Sequence, residues 1–118
     1  IRKVPDNCWI GTSVGIASAK HRIDELRGIN ARIRFLSCEP LIEDLGPLNL
    51  QGIHWVIIGG ESDDKAPRPM SPEWAEHIIR QAQEQGVKVF YKQGGGKGGD
   101  GAGGDLLNGK RYKEMPDY

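Results

Sequence analysis

The sequence is short of most features that assign a function at sight. It has two cysteines, Cys8 and Cys38, in 118 residues. That is too few for a disulfide scaffold and fits a reducing, cytoplasmic setting. Metal-ligand spacings such as C-x-x-C and H-x-x-x-H are missing, which excludes a structural zinc module. Surplus charge is missing too: 16 basic residues balance 16 acidic ones. A domain built mainly to grip phosphate backbones carries a clear basic excess. No apolar run approaches the roughly 18 residues of a membrane span, so no membrane partner is expected. No basic-then-apolar segment opens the chain as a secretion signal would.

What the sequence does contain is enough for one folded body. Leu, Ile, Val and Phe make up 27 residues, sufficient for a core at single-domain size. Four short apolar runs read as strands: residues 8–14 (CWIGTSV), 33–37 (IRFLS), 55–58 (WVII) and 87–91 (VKVFY). The third is apolar throughout, as in a strand covered on both faces. Residues 18–27 carry Ala19, Ile23 and Leu26 at helical spacing and stop at Gly28. Ser71, Pro72 and Glu73 form a helix start, and Trp74, Ala75, Ile78, Ile79 and Ala82 give one apolar stripe that ends at Gly86. Gly46-Pro47 forbids one long helix over residues 41–50, leaving a short helical turn or an ordered loop. The pattern β-α-β-(short α)-β-α-β predicts an α/β fold with right-handed crossovers and four mainly parallel strands.

Four such strands form either a small open sheet or half of a (β/α) barrel. An isolated half barrel leaves a sheet edge and an inner face uncovered. It needs its missing half or a second copy as partner. The opening, Ile1-Arg-Lys-Val-Pro5, runs straight toward a strand, which reads as a piece of a longer polypeptide. The expected division is an α/β body over 1–93, a flexible glycine-rich loop over 94–104 and a tail over 105–118 that docks on the body. The loop carries eight glycines among its eleven residues, hence high backbone entropy and little to bury. Its Gly96-Lys97-Gly98 lacks the Ser or Thr and the helix that a phosphate loop needs.

Ligands of parallel α/β sheets bind outside the carboxyl ends of the strands. Those ends are Thr12-Ser13, Ser37-Cys38-Glu39-Pro40, Gly59-Gly60-Glu61-Ser62 and Lys92-Gln93-Gly94. A shared rim would collect two carboxylates (Glu39, Glu61), Lys92, Ser13 and Gln93, although strand ends also carry polar residues simply because they meet water. Pro40 holds Glu39 extended, where it can bind a cation, accept a proton or pair with Lys92. Gly59 and Gly60 let backbone approach a ligand closely. Arg68, stiffened by Pro67 and Pro69, suits a carboxylate or phosphate fork. No histidine is near Cys38 in sequence, so it and Cys8 are expected to be inert core thiols. Asp63-Asp64 lacks the spacing of a calcium loop.

These segments carry a resemblance. Trp9-Ile-Gly-Thr-Ser-Val14, Arg34-Phe-Leu-Ser-Cys-Glu-Pro-Leu41, Trp55-Val-Ile-Ile-Gly-Gly-Glu-Ser62, Arg68-Pro-Met70, Lys92-Gln93 and Leu107-Asn-Gly-Lys-Arg-Tyr-Lys-Glu-Met-Pro116 resemble a bacteriophage-associated protein family of unknown function. Members of that family carry an N-terminal three-cysteine motif like that of radical S-adenosylmethionine (SAM) enzymes. The resemblance implies the C-terminal half of a radical-SAM-like (β/α) barrel. The chain itself would hold no cofactor and no metal. A [4Fe–4S] cluster and SAM would belong to the full-length protein, and the fragment alone would be inactive. Glu39, Glu61 and Lys92 are then the catalytic candidates, with Ser13, Gly59, Gly60, Arg68 and Gln93 binding substrate or cofactor.

Two other readings compete. One is a non-enzymatic phage or mobile-element module that binds protein or nucleic acid through Lys88, Lys92, Lys97, Lys110, Arg111 and Lys113. The other is a cluster-free hydrolase or lyase using Glu39 and Glu61 as acid and base.

Overall fold

The computed structural model describes residue 5 and residues 7–61, 68–95 and 104–116. Four strands form one sheet: β1 (Trp9–Ser13), β2 (Ile33–Cys38), β3 (Trp55–Ile58) and β4 (Lys88–Tyr91). All three neighbouring pairs are parallel, in the order β1-β2-β3-β4. Strand order thus follows chain order. Residues of both helices and of the loop over 41–50 join one core cluster against the buried side of the sheet.

That covered face holds the core. Leu36, Val56 and Val89 form one row across the sheet, and Cys38, Ile58 and Tyr91 the next; all six are buried. Helix α1 (His21–Arg27) brings Ile23 and Leu26, and α2 (Pro72–Glu84) brings Ala75, Ile78, Ile79 and Ala82. Ser71 caps α2, its hydroxyl accepting the Glu73 N–H, with Pro72 in the first turn. The opposite face carries Trp9, Phe35, Trp55, Ile57 and Phe90, all half-buried. Trp55 meets Trp9 edge-on at 5.7 Å and Phe90 at 6.1 Å between ring centres.

Several expectations need correction. Residues 18–27 do not form one helix. A 3-10 turn (Ala17–Ala19) comes first and α1 begins at His21; Lys20 between them keeps helical backbone angles while its ammonium donates to the carbonyls of Leu45 and Pro47, both at 2.9 Å. Of the two alternatives for residues 41–50, the ordered loop is the one that forms, with no helical turn. Gly46 sits at φ +72, and Leu41, Leu45, Leu48 and Leu50 are buried in sequence-irregular spacing. Cys8 is exposed: it precedes β1 in a turn in which its N–H bonds the Pro5 carbonyl. Nor is the last strand left with an open edge. Residues 112–114 pair antiparallel with β4 through Phe90 and Lys113, and Leu107 is buried. Most of the glycine tract, 96–103, lies outside the described residues, as do Asp63 and Asp64.

The loop over residues 41–50 is held by Gln81 of α2 and by Gln85, the residue that caps its C-terminus. Gln81 Oε1 accepts the Leu48 N–H at 2.6 Å while its Nε2 donates to the Gly46 carbonyl. Gln85 repeats the arrangement with Leu50 N–H and Leu48 C=O. Each side-chain amide offers both a donor and an acceptor, so it substitutes for a missing strand partner. Gln81→Ala should therefore lower unfolding free energy by about 1–3 kcal/mol, the cost of orphaned backbone groups. Gln83→Ala, on the exposed side of the same helix, should cost far less. Urea denaturation of both variants checks this, and equal losses would refute it.

Candidate functional site

The carboxyl ends of the strands meet at one rim, as the parallel topology requires. The register continues one row beyond the strands. Cys38 aligns with Ile58, and Ile58 with Tyr91, so Glu39, Gly59 and Lys92 form the next row. Adjacent strands are about 4.8 Å apart, which puts the outer two residues about 10 Å apart. Their long side chains bridge that span. Lys92 Nζ lies 2.9 Å from Glu39 Oε2 and 3.1 Å from Oε1. The bridge passes over Gly59, where a Cβ would stand only 2.6 Å from Glu39 Oε2.

Gly60 is compressed in the same way. A Cβ there would collide with the Gly94 carbonyl, because the β3 and β4 exits run backbone to backbone. Gln93 locks them together. It is buried, its Nε2 donates to the Gly60 carbonyl at 3.0 Å, and its own carbonyl accepts the Gly60 N–H at 2.8 Å. The room left by the two glycines is thus filled by the protein itself.

Glu61 forms the second ion pair. Arg68 grips both of its carboxylate oxygens, with Nη2 at 2.5 Å from Oε2, and the Arg68 backbone N–H donates to Oε1 at 2.8 Å. The guanidinium and this N–H hold the Glu61 carboxyl down at about 2, against an ordinary 4.5. The same contact raises Arg68. Burial pushes the Cys38 thiol up to about 12, so it is a protonated core residue, as its sequence context suggested.

Ser13 ends β1 at the same rim and is exposed. Its carbonyl accepts Arg22 Nη1 at 3.0 Å. Together with Glu39 and Arg68 it borders a cavity of about 250 Å³. Five candidates, Ser13, Glu39, Arg68, Lys92 and Gln93, therefore stand along one edge with Glu61 and the two glycines. Arg22 was not singled out from the sequence. The signal was available, since a residue in the first turn of the helix that follows a strand returns to that strand's carboxyl end. The C-terminal cations are largely spent. Arg111 and Lys113 pair with Asp105, Lys92 pairs with Glu39, and Lys110 covers the Tyr112 ring. Lys97 lies outside the described residues.

Two outcomes follow. Gly59→Ala should expel the Glu39 carboxylate from over β3 and lower stability by about 1–3 kcal/mol; unchanged thermal unfolding would refute that packing. Glu61 has a folded-state pKa below its unfolded value, so its stabilising contribution is complete above about pH 4.5 and lost as pH falls through about 2. Arg68→Gln should move the Glu61 titration, followed by carboxyl NMR, upward toward 4.5.

Among the described residues, no group of three or more His, Cys, Asp or Glu side chains is placed to hold a metal ion, and no helix is long and apolar enough to cross a membrane. No curated protein and no solved structure matches the chain. A family match does cover almost its full length, residues 1–116. The chain belongs to the family described as Protein of unknown function (DUF5131).

Proposed function

We propose that this chain is the ligand-holding part of a larger, radical-SAM-like (β/α)-barrel enzyme. The observation that carries the reading is the one-sided winding of the sheet. Four parallel strands in chain order carry their helices on one face and leave an aromatic face half-exposed. Parallel sheets are ordinarily covered on both faces. Further strands of the intact protein, or a second copy, would enclose Trp9, Phe35, Trp55 and Phe90 as a barrel interior. The paired charges would then stand at its mouth, where barrel ligands bind.

The residues here do not fit an iron–sulfur cluster. Cys38 is buried and protonated, and Cys8 precedes β1, at the other end of the sheet. The cluster ligands would have to come from elsewhere in the intact protein. The rim does fit the methionyl end of SAM, which supplies the radical chemistry when bound. Glu61 and Glu39 are acceptors for its ammonium, and Arg68 and Lys92 are donors for its carboxylate. Both ion pairs already hold these groups in the rim, so binding exchanges partners without ordering new side chains.

Calorimetric titration of SAM into the intact protein tests this. Glu61→Gln and Lys92→Met should each weaken SAM binding about tenfold or more, the effect of losing one charge-assisted contact, with thermal unfolding largely retained. Unchanged affinity in both variants would remove the rim from the cofactor site.

A further inference from the structure

The cavity between the exits of β1 and β2 has a composition of its own. Ile16, Pro40 and Ile42 form an apolar wall, and Arg22, Arg68 and Glu39 stand around it. Ile16 keeps 36% of its surface exposed, a large aliphatic side chain facing a cavity instead of the core. The wall is fixed in place. The Ile42 N–H donates to the Gly15 carbonyl at 3.3 Å, and the Ala17 N–H donates to Glu43 at 2.8 Å. Gly15 lies so close to the Pro40 carbonyl that a Cβ would overlap it.

The charges around this wall are unequal. Arg68 is matched by Glu61 and Glu39 by Lys92. Arg22 has no ion pair among the described residues. It spends one donor, Nη1, on the Ser13 carbonyl, out of the five N–H groups of a guanidinium. A volume of about 250 Å³ falls just under the range of pockets for drug-sized ligands, about 300–1,000 Å³. We infer that this cavity binds a small aliphatic monocarboxylate, with its carboxylate on Arg22 and its carbon chain against Ile16, Pro40 and Ile42. Glu39 supplies the selection. A second carboxylate on the same ligand would approach it and find the remaining cations, Arg68 and Lys92, already matched, so dicarboxylates are disfavoured. This inference rests on the reading of the rim as the ligand-bearing edge and names the class of substrate it admits.

The test uses pentanoate, pentanol and glutarate as probes of the intact protein, followed by methyl NMR of Ile16 and Ile42 and by calorimetry. Pentanoate should saturate and shift both methyl signals, while pentanol and glutarate should bind at least tenfold more weakly. Arg22→Gln, at an exposed helix position, should weaken pentanoate at least tenfold. Arg68→Gln should weaken it less, since that guanidinium is already held by Glu61. Equal binding of pentanoate and pentanol, an unchanged affinity in Arg22→Gln, or no saturable shift at either isoleucine would overturn the inference. SAM titrated into the same samples separates the two readings. Loss of SAM binding in the rim variants with pentanoate binding absent throughout would leave the cofactor reading standing and end this one. Saturable pentanoate without any SAM binding would do the reverse.

Discussion

The row Glu39–Gly59–Lys92 is the constraint on which the rim depends. A carboxylate and an ammonium on next-but-one strands can meet only if the residue between them has no side chain. Gly59 meets that condition, and it works only in one register. A slip of a single residue between β2 and β3 would turn Glu39 toward the buried face, where an unpaired charge is costly. The same slip would bring Cys38 out of the core. Rim and core therefore specify the register together. Gln93 and Gly60 then fix the next residues of the two exits, so that Glu61 leaves β3 on a backbone already pressed against β4.

One-sided winding has a second consequence. The core face is closed by α1, α2 and the leucine-bearing loop, which leaves the aromatic side chains to pack mainly on one another. Trp55 is central to that arrangement. It contacts Trp9, Phe35 and Phe90, and its indole N–H donates to the Glu114 carbonyl at 2.9 Å. The tail that reaches Glu114 also pairs with the edge of β4. It thus closes one edge of the sheet and satisfies the polar atom of a residue on the half-exposed aromatic face. Edge and face are protected by the same few residues, at the end of the sheet away from β1.

Much of this was legible in the sequence because it is local or periodic. Residues 55–58 were read as a strand with both bounds correct, and Ser71-Pro72-Glu73 announced α2 through capping chemistry. Chain-order alternation implied a parallel sheet, and with it a common rim. Pairing of Glu39 with Lys92 was among the options for that rim. What was not legible depends on contacts between distant residues. Nothing near residues 41–50 signals that Gln81 and Gln85 supply their missing hydrogen bonds. Lys20 sends its ammonium to carbonyls 25 and 27 residues away, contacts that no local pattern announces. Cys8 looked apolar enough for the core, and its exposure follows from its position before β1. Arg22 was hidden by its place on a helix whose other face was doing the packing.

The electrostatics of the rim bear on what kind of chemistry it can perform. An acid–base pair of carboxylates needs one member whose pKa is raised toward neutrality, by burial or by a second negative charge. Glu61 is driven the opposite way, to about 2, by the two-point grip of Arg68 and that residue's own N–H. At neutral pH it holds no proton to donate, and its basicity is too low to take one effectively. Glu39 is engaged by the Lys92 ammonium through both carboxylate oxygens. Two carboxylates, each already paired with a cation, are suited to holding a charged ligand in a fixed orientation. A cluster-free hydrolase or lyase relying on Glu39 and Glu61 would have to disrupt both pairs before its first proton transfer. A binding rim needs only to exchange one partner for another, and that difference is what favours recognition over proton transfer at this edge of the sheet.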